Sequence, residues 1–244
     1  MSGQIYLNLS ACFYTILIAF CFFCKKKVNN DETKIYGVLI LISFLELVVG
    51  FFSSIILYMK ASTFISVFFT KLFFVIILAW IFIFTKYILC IDNKIKSNFK
   101  ISSFSKLLNI FYIISSLLIF LLPINIKYIN GMIFTNGFSL ISLFISAFIF
   151  MIISISLGIR NISSHDKRFL PLWVFLIVGI VVFIIQAYYP QLFLVVPLEV
   201  FITSVMYHTI ENPDVKMIQE LQVAREQADK ANRAKTDFLS SMSH

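Results

Sequence analysis

Between Ile5 and Thr209 the chain is a succession of apolar runs, and their length decides which solvent it must fold in. A helix needs about 20 apolar residues to cross about 30 Å of hydrocarbon. Seven stretches reach or approach that length: 5–23, 35–58, 65–91, 107–124, 137–159, 170–188 and 191–209. Runs such as Phe73 to Phe84 are apolar all round rather than alternating at period two, which reads as lipid-facing helix and not as barrel strand. Tyr189-Pro190 divides the last two stretches, because proline stops a helix that would otherwise be too long for tilt to absorb. Composition agrees. The chain is 60% apolar and 13% charged with 29 Phe, where a soluble domain is about 45–50% apolar and about 25% charged. A soluble globular protein and a disordered chain are both excluded, and four Cys set no disulfide framework. The expected fold is all-α: an integral membrane seven-helix bundle over 1–210, followed by a cytosolic coiled-coil signalling helix over 211–244.

Charge gives the orientation. The formal net charge of +8 divides into +9 over residues 1–210 and −1 over 211–244. Segments 24–34, 84–106, 159–171 and 211–244 hold 17 Lys and Arg, against Lys60, Lys71 and Lys127 in the remaining connections. Cytoplasmic loops are the basic ones, so the N-terminus is expected outside and the C-terminus in the cytosol. The basic excess is thus a membrane signal, and no nucleic-acid partner is expected. The first span reads as an anchor, since Lys25 to Lys27 follow it, no basic residue precedes it and no small-x-small cleavage site appears. The external pieces, 1–4, 59–64, 125–136 and the 189–190 turn, are too short for a folded extracellular domain. Any stimulus must be read in the bilayer or at its surface.

After Ile210 the composition changes. In Glu211-Asn212-Pro213-Asp214, Asn212 suits an N-cap, Pro213 a first helical position and Asp214 the positive end of the dipole. Met217, Leu221, Ala224, Ala228 and Ala231 form a heptad seam, flanked by the i,i+4 pairs Glu226–Lys230 and Asp229–Arg233. The seam predicts a parallel homodimer through 214–242. Its register places Lys235 in the core before Phe238 and Met242; either the phase slips there, a place to pass on a rotation, or Lys235 snorkels.

The run Ala234-Lys-Thr-Asp-Phe-Leu-Ser-Ser-Met-Ser-His244 closely resembles the start of the H-box in the dimerisation and phosphoacceptor domain of bacterial sensor histidine kinases. In that family a Phe precedes the reactive His by six residues, as Phe238 precedes His244, and Ser243 occupies the usual Ser. Gln227 to Lys235 is similar to the signalling helix that enters that domain. The resemblance covers 211–244 and implies that His244 is the phosphoacceptor. An imidazole with an ordinary pKa near 6.5 offers an unprotonated nitrogen at neutral pH to attack the γ-phosphorus of ATP. It also implies transfer to an Asp on a response regulator, and location in a bacterial plasma membrane. The family's following acidic residue and Pro, its second hairpin helix and its ATP-binding domain do not occur in these residues, and no Gly follows Gly179. ATP and Mg are therefore expected only through a C-terminal domain of a longer parent. The other two classes are a transporter or channel subunit and a non-catalytic membrane receptor.

Charges inside spans are costly and tend to be functional or paired. Glu46 lies near the middle of the second span, Lys71 toward the outer end of the third, and Glu199 two residues after Pro197 in the seventh. They are candidates for an intramembrane ligand or proton site. Glu46 could reach Lys71 across the hairpin, and Glu199 could face a cavity opened by a kink at Pro197. Alternatively, Lys71 snorkels and the glutamates are neutral, hydrogen-bonded core residues. Cys21-Phe-Phe-Cys24 fits CxxC, but without a second ligand pair it reads as packing at the inner interface. His165 and His208 read as solvated or interfacial.

Overall fold

A computed structural model describes residues 2–24, 30–60, 62–95, 101–129, 132–164, 166–189, 194–210, 221 and 223–233. Among them seven α-helices follow one another: α1 (Ser2–Cys24), α2 (Asp31–Tyr58), α3 (Thr63–Ile95), α4 (Ile101–Leu121), α5 (Phe138–Arg160), α6 (Leu170–Tyr188) and α7 (Val195–Ile210). A β-hairpin of β1 (Asn125–Ile129) and β2 (Met132–Asn136) separates α4 from α5, and two short 3-10 turns join α5 to α6. Residues 223–233 are also helical. Among the described residues five segments are long and apolar enough to cross a membrane: Asp31–Tyr58, Thr63–Asn93, Ser103–Leu121, Phe138–Arg160 and Lys167–Gln186. Asn8–Cys24 and Val195–Ile210 are apolar but shorter.

The helices are apolar on the outside and carry their small and polar residues inward, the reverse of a soluble bundle. In α5 the buried stripe is Ser139, Leu143, Ser146, Phe150, Ser154 and Gly158, at helical spacing. Its Phe144, Ile145, Phe148 and Ile152 face outward. Outer surface of this kind suits lipid, and small inward residues let helices approach closely. At Gly158 a Cβ would stand 2.6 Å from Leu172 Cδ2, so α5 meets α6 where only hydrogen fits.

Central to the arrangement is α3, whose Phe74, Leu78, Trp80, Phe84, Tyr87, Ile88 and Ile91 are buried. It packs against α2, α4 and α5, while α7 packs against α1, α2 and α6. Helix ends follow local chemistry. The Asn30 side chain accepts from Thr33 N at 2.7 Å, capping α2, and Asp31 and Glu32 occupy its first turn.

The hairpin is a departure from the all-α expectation. β1 and β2 pair antiparallel from Asn125↔Asn136 to Ile129↔Met132. The Tyr128 hydroxyl donates to Leu57 O at 3.2 Å, and Lys60 Nζ lies 5.7 Å from the Tyr128 ring, so the hairpin folds over the end of α2. Gly137 makes the return into α5 at φ +138°, where a Cβ would also stand 2.7 Å from Pro123 O.

Candidate functional site

Glu46 and Glu199 come from antiparallel helices and meet inside the molecule. They are 0% and 1% exposed, and the α2/α7 register sets them level, since Ser43 Oγ lies 3.4 Å from Thr203 Oγ1 and Leu47 clusters with Val196 and Val200. Among the described residues no donor reaches any of the four oxygens. Two facing carboxylates can only repel, by about 4 kcal/mol at 4 Å and an effective dielectric of 20. A proton on either one makes that carboxyl a donor to the other.

One turn further along both helices lies a polar knot whose members all have partners. Trp80 Nε1 donates to Ser43 Oγ at 3.0 Å and to Thr203 Oγ1 at 3.3 Å, while Thr203 Oγ1 donates to Glu199 O at 2.8 Å. The Tyr36 hydroxyl donates to Thr203 O at 2.9 Å. Tyr14 on α1 joins through Ser204 Oγ, 2.9 Å away. Trp80 is itself held by stacking on Phe84 with ring centroids 5.3 Å apart. The knot ties α1, α2, α3 and α7 into one register, which fixes where Glu46 and Glu199 face each other. Sequence reasoning passed over Trp80, Ser43 and Thr203 because single hydroxyls and a Trp in an apolar run carry no distinguishing pattern.

The suggested Glu46–Lys71 pair does not form. Lys71 Nζ donates to Phe120 O and Leu122 O, each at 2.7 Å, at the C-terminal end of α4. The reason is depth. Gly50 faces Phe73 and Ser43 bonds Trp80, so the α2/α3 register sets Glu46 level with Ile77. Lys71 is six residues nearer the hairpin, about 9 Å at 1.5 Å per residue. It is buried rather than snorkelling, and places its charge on helix-terminal carbonyls, where a cation complements the dipole. The suggested kink at Pro197 is also absent. Pro197 is the third residue of α7, within the first turn where backbone N–H groups have no intrahelical acceptor, so it starts the helix without bending it.

At the opposite end of α3 the buried carboxylates are paired with cations. Asp92 accepts from Arg160 Nε at 3.0 Å, from Arg160 Nη2 and from Asn161 Nδ2 at 2.6 Å. Glu32 accepts from Arg168 Nη1 at 2.6 Å, while Arg168 Nε and Nη2 fork onto Asp166. Burial pushes the Asp166 carboxyl up, but the side-chain and backbone hydrogen bonds and the charge of Arg168 outweigh it and hold the group below its ordinary range. These contacts bring the start of α2, the end of α3, the end of α5 and the start of α6 to one end of the molecule.

Neither a family model, nor a curated protein, nor a solved structure matches this chain. Its chemistry therefore rests on its own residues. His244, His165 and the run Ala234 to Ser243 lie outside the described residues, as does most of the 214–242 seam. His208 is exposed on the last turn of α7. Cys21 and Cys24 are free thiols at the end of α1, the latter exposed.

Proposed function

We propose that the chain is the N-terminal membrane sensor of a bacterial histidine kinase, with 1–210 as a seven-span bundle and 211–244 carrying its state to the phosphoacceptor His244. The observation that carries the reading is the H-box-like run Ala234 to His244, with Phe238 six residues before the histidine. Helix 223–233 supports it. Every residue there is exposed, including Ala224, Ala228 and Ala231 of the seam. A helix of that length has little stability alone in water, so the seam calls for a second copy, as in a parallel homodimer. Seven spans, counting the shorter α1 and α7, would leave the two ends on opposite sides, and the basic segments favour the tail on the side of cytosolic ATP. The gathering of three basic segments at one end of the bundle agrees with that orientation.

In the reaction an unprotonated imidazole nitrogen of His244 attacks the γ-phosphorus of Mg-bound ATP in line. The bond from γ-phosphorus to the bridging oxygen breaks and ADP leaves. The phosphoryl group then passes to an Asp carboxylate of the response regulator, freeing His244 for another cycle. The nucleotide site belongs to a C-terminal domain of the parent protein.

The second reading, a transporter or channel subunit, is favoured by one feature, the buried Glu46–Glu199 pair. The two separate in one preparation. Membranes containing the full-length parent, supplied with γ-labelled ATP and Mg, should acquire acid-labile, alkali-stable phosphate that is lost in His244→Gln. Label that survives His244→Gln, or no label together with proton flux through vesicles holding residues 1–210, overturns the kinase reading.

A further inference from the structure

The molecule treats its buried carboxylates in two ways. Asp92 and Glu32, 0% and 4% exposed, each receive an arginine. Glu46 and Glu199, as deeply buried, receive none: all four of their oxygens lack a donor among the described residues, and the α2/α7 register sets the two side chains level. Among the described residues the groups around them offer no cation. On α1 the nearest titratable groups are Cys12, packed against the cluster of Ala11, Leu47, Val196 and Val200, and Tyr14, bonded to Ser204. On α2 it is Tyr36, engaged with Thr203 O. On α3, Lys71 is held by two carbonyls, and Lys86 and Tyr87 lie beyond Trp80 in the other direction. Residues 170–186 of α6 contain no titratable side chain, and on α7 Tyr207 and His208 follow Glu199 by two turns or more. The Trp80 knot is internally satisfied and sends its donors to Ser43 and Thr203. One ligand fits between two facing buried carboxyls in such surroundings without further donors: a proton.

We propose that Glu46 and Glu199 form a proton-binding site that clasps α7 to α2 when occupied and drives the two helices apart when empty. A single bound proton makes one carboxyl the donor and the other the acceptor, a charge-assisted bond across the helix pair. Loss of the proton leaves two negative charges facing each other inside an apolar bundle, and α7 is the helix that has to give. Clasp strength is set by proton occupancy, so α7 has two positions with an energy difference controlled by pH. Glu199 lies in the second turn of α7, at the end away from the Arg160 and Arg168 cluster. The site sits in the bundle and owes nothing to the chemistry assigned to the tail. If the kinase reading holds, α7 is the element that delivers the change to residues 211–244.

The test is infrared difference spectroscopy of the chain in phosphatidylcholine vesicles, titrated from acidic to alkaline pH. The wild type should show a protonated-carboxyl C=O band that shifts in deuterated water and is abolished in Glu46→Gln/Glu199→Gln. Spin labels at Lys34→Cys and His208→Cys, with the four native cysteines replaced by serine, should report a change in α2–α7 distance that follows the loss of that band. The single variants Glu46→Gln and Glu199→Gln, which keep one carboxyl beside an amide, should titrate with a displaced midpoint. The proposal is overturned by a band that persists in the double variant, by its absence from the wild type at every pH, or by a distance indifferent to it. Should the double variant fail to insert, wild-type titration in both single variants overturns it. Neither readout involves His244, so phosphate assays and this test fail separately.

Discussion

Arg160 and Asp92 illustrate how unequal the two halves of one ion pair are. The Asp92 side chain is fully buried while that of Arg160 is 43% exposed. Removing Arg160 strands a buried carboxylate with Asn161 as donor, whereas removing Asp92 leaves a guanidinium that water can reach. Arg160→Ala should therefore cost about 3 kcal/mol, and Asp92→Ala only about 1 kcal/mol. Unfolding of both variants in the same detergent gives the order, and equal losses would refute it. Glu46 and Glu199 were legible in the sequence because a carboxylate in an apolar run stands out by its cost. That they face each other was not, since nothing in a one-dimensional pattern says which spans are neighbours. Glu32, Asp92, Arg160 and Arg168 were missed for the opposite reason. Charges at span ends are ordinary, and counting the basic ones for orientation ignored the acids they bind.

At the scale of elements, the apolar runs located the helices to within a few residues at most ends, and the Pro190 break fell between α6 and α7. The hairpin was missed although Asn130-Gly131 lies between the alternating Ile126-Lys127-Tyr128 and Ile133-Phe134-Thr135, a turn signal set among strand formers. Read as an external connection, it was judged only for its length. Lys71 links this element to the bundle by holding the end of α4 just before β1. Lys71→Met keeps the apolar stem and removes the donor, leaving two helix-terminal carbonyls short of a partner. The expected loss is about 1–3 kcal/mol, concentrated locally. Hydrogen exchange should quicken across the end of α4 and the strands and stay unchanged around Trp80. Faster exchange at Trp80 with protected strands would mean that Lys71 serves the core instead.

The whole molecule divides by depth. One end has the hairpin, Lys60 and the Lys71 clasp; the interior has the unpaired carboxyls and the Trp80 knot; the other end has the arginine pairs. Such a layered bundle works as a membrane input only if the arginine end lies on the same side as the tail. Sided cysteine labelling tests this most directly. In a background with the native cysteines replaced by serine, Lys34→Cys and Lys167→Cys should react with an impermeant maleimide only after the cells are opened. Lys60→Cys and Asn136→Cys should react on intact cells. The reverse pattern, or labelling of both pairs from one side, would contradict the account, because His244 would then be cut off from cytosolic ATP or the bundle would not cross the membrane as described.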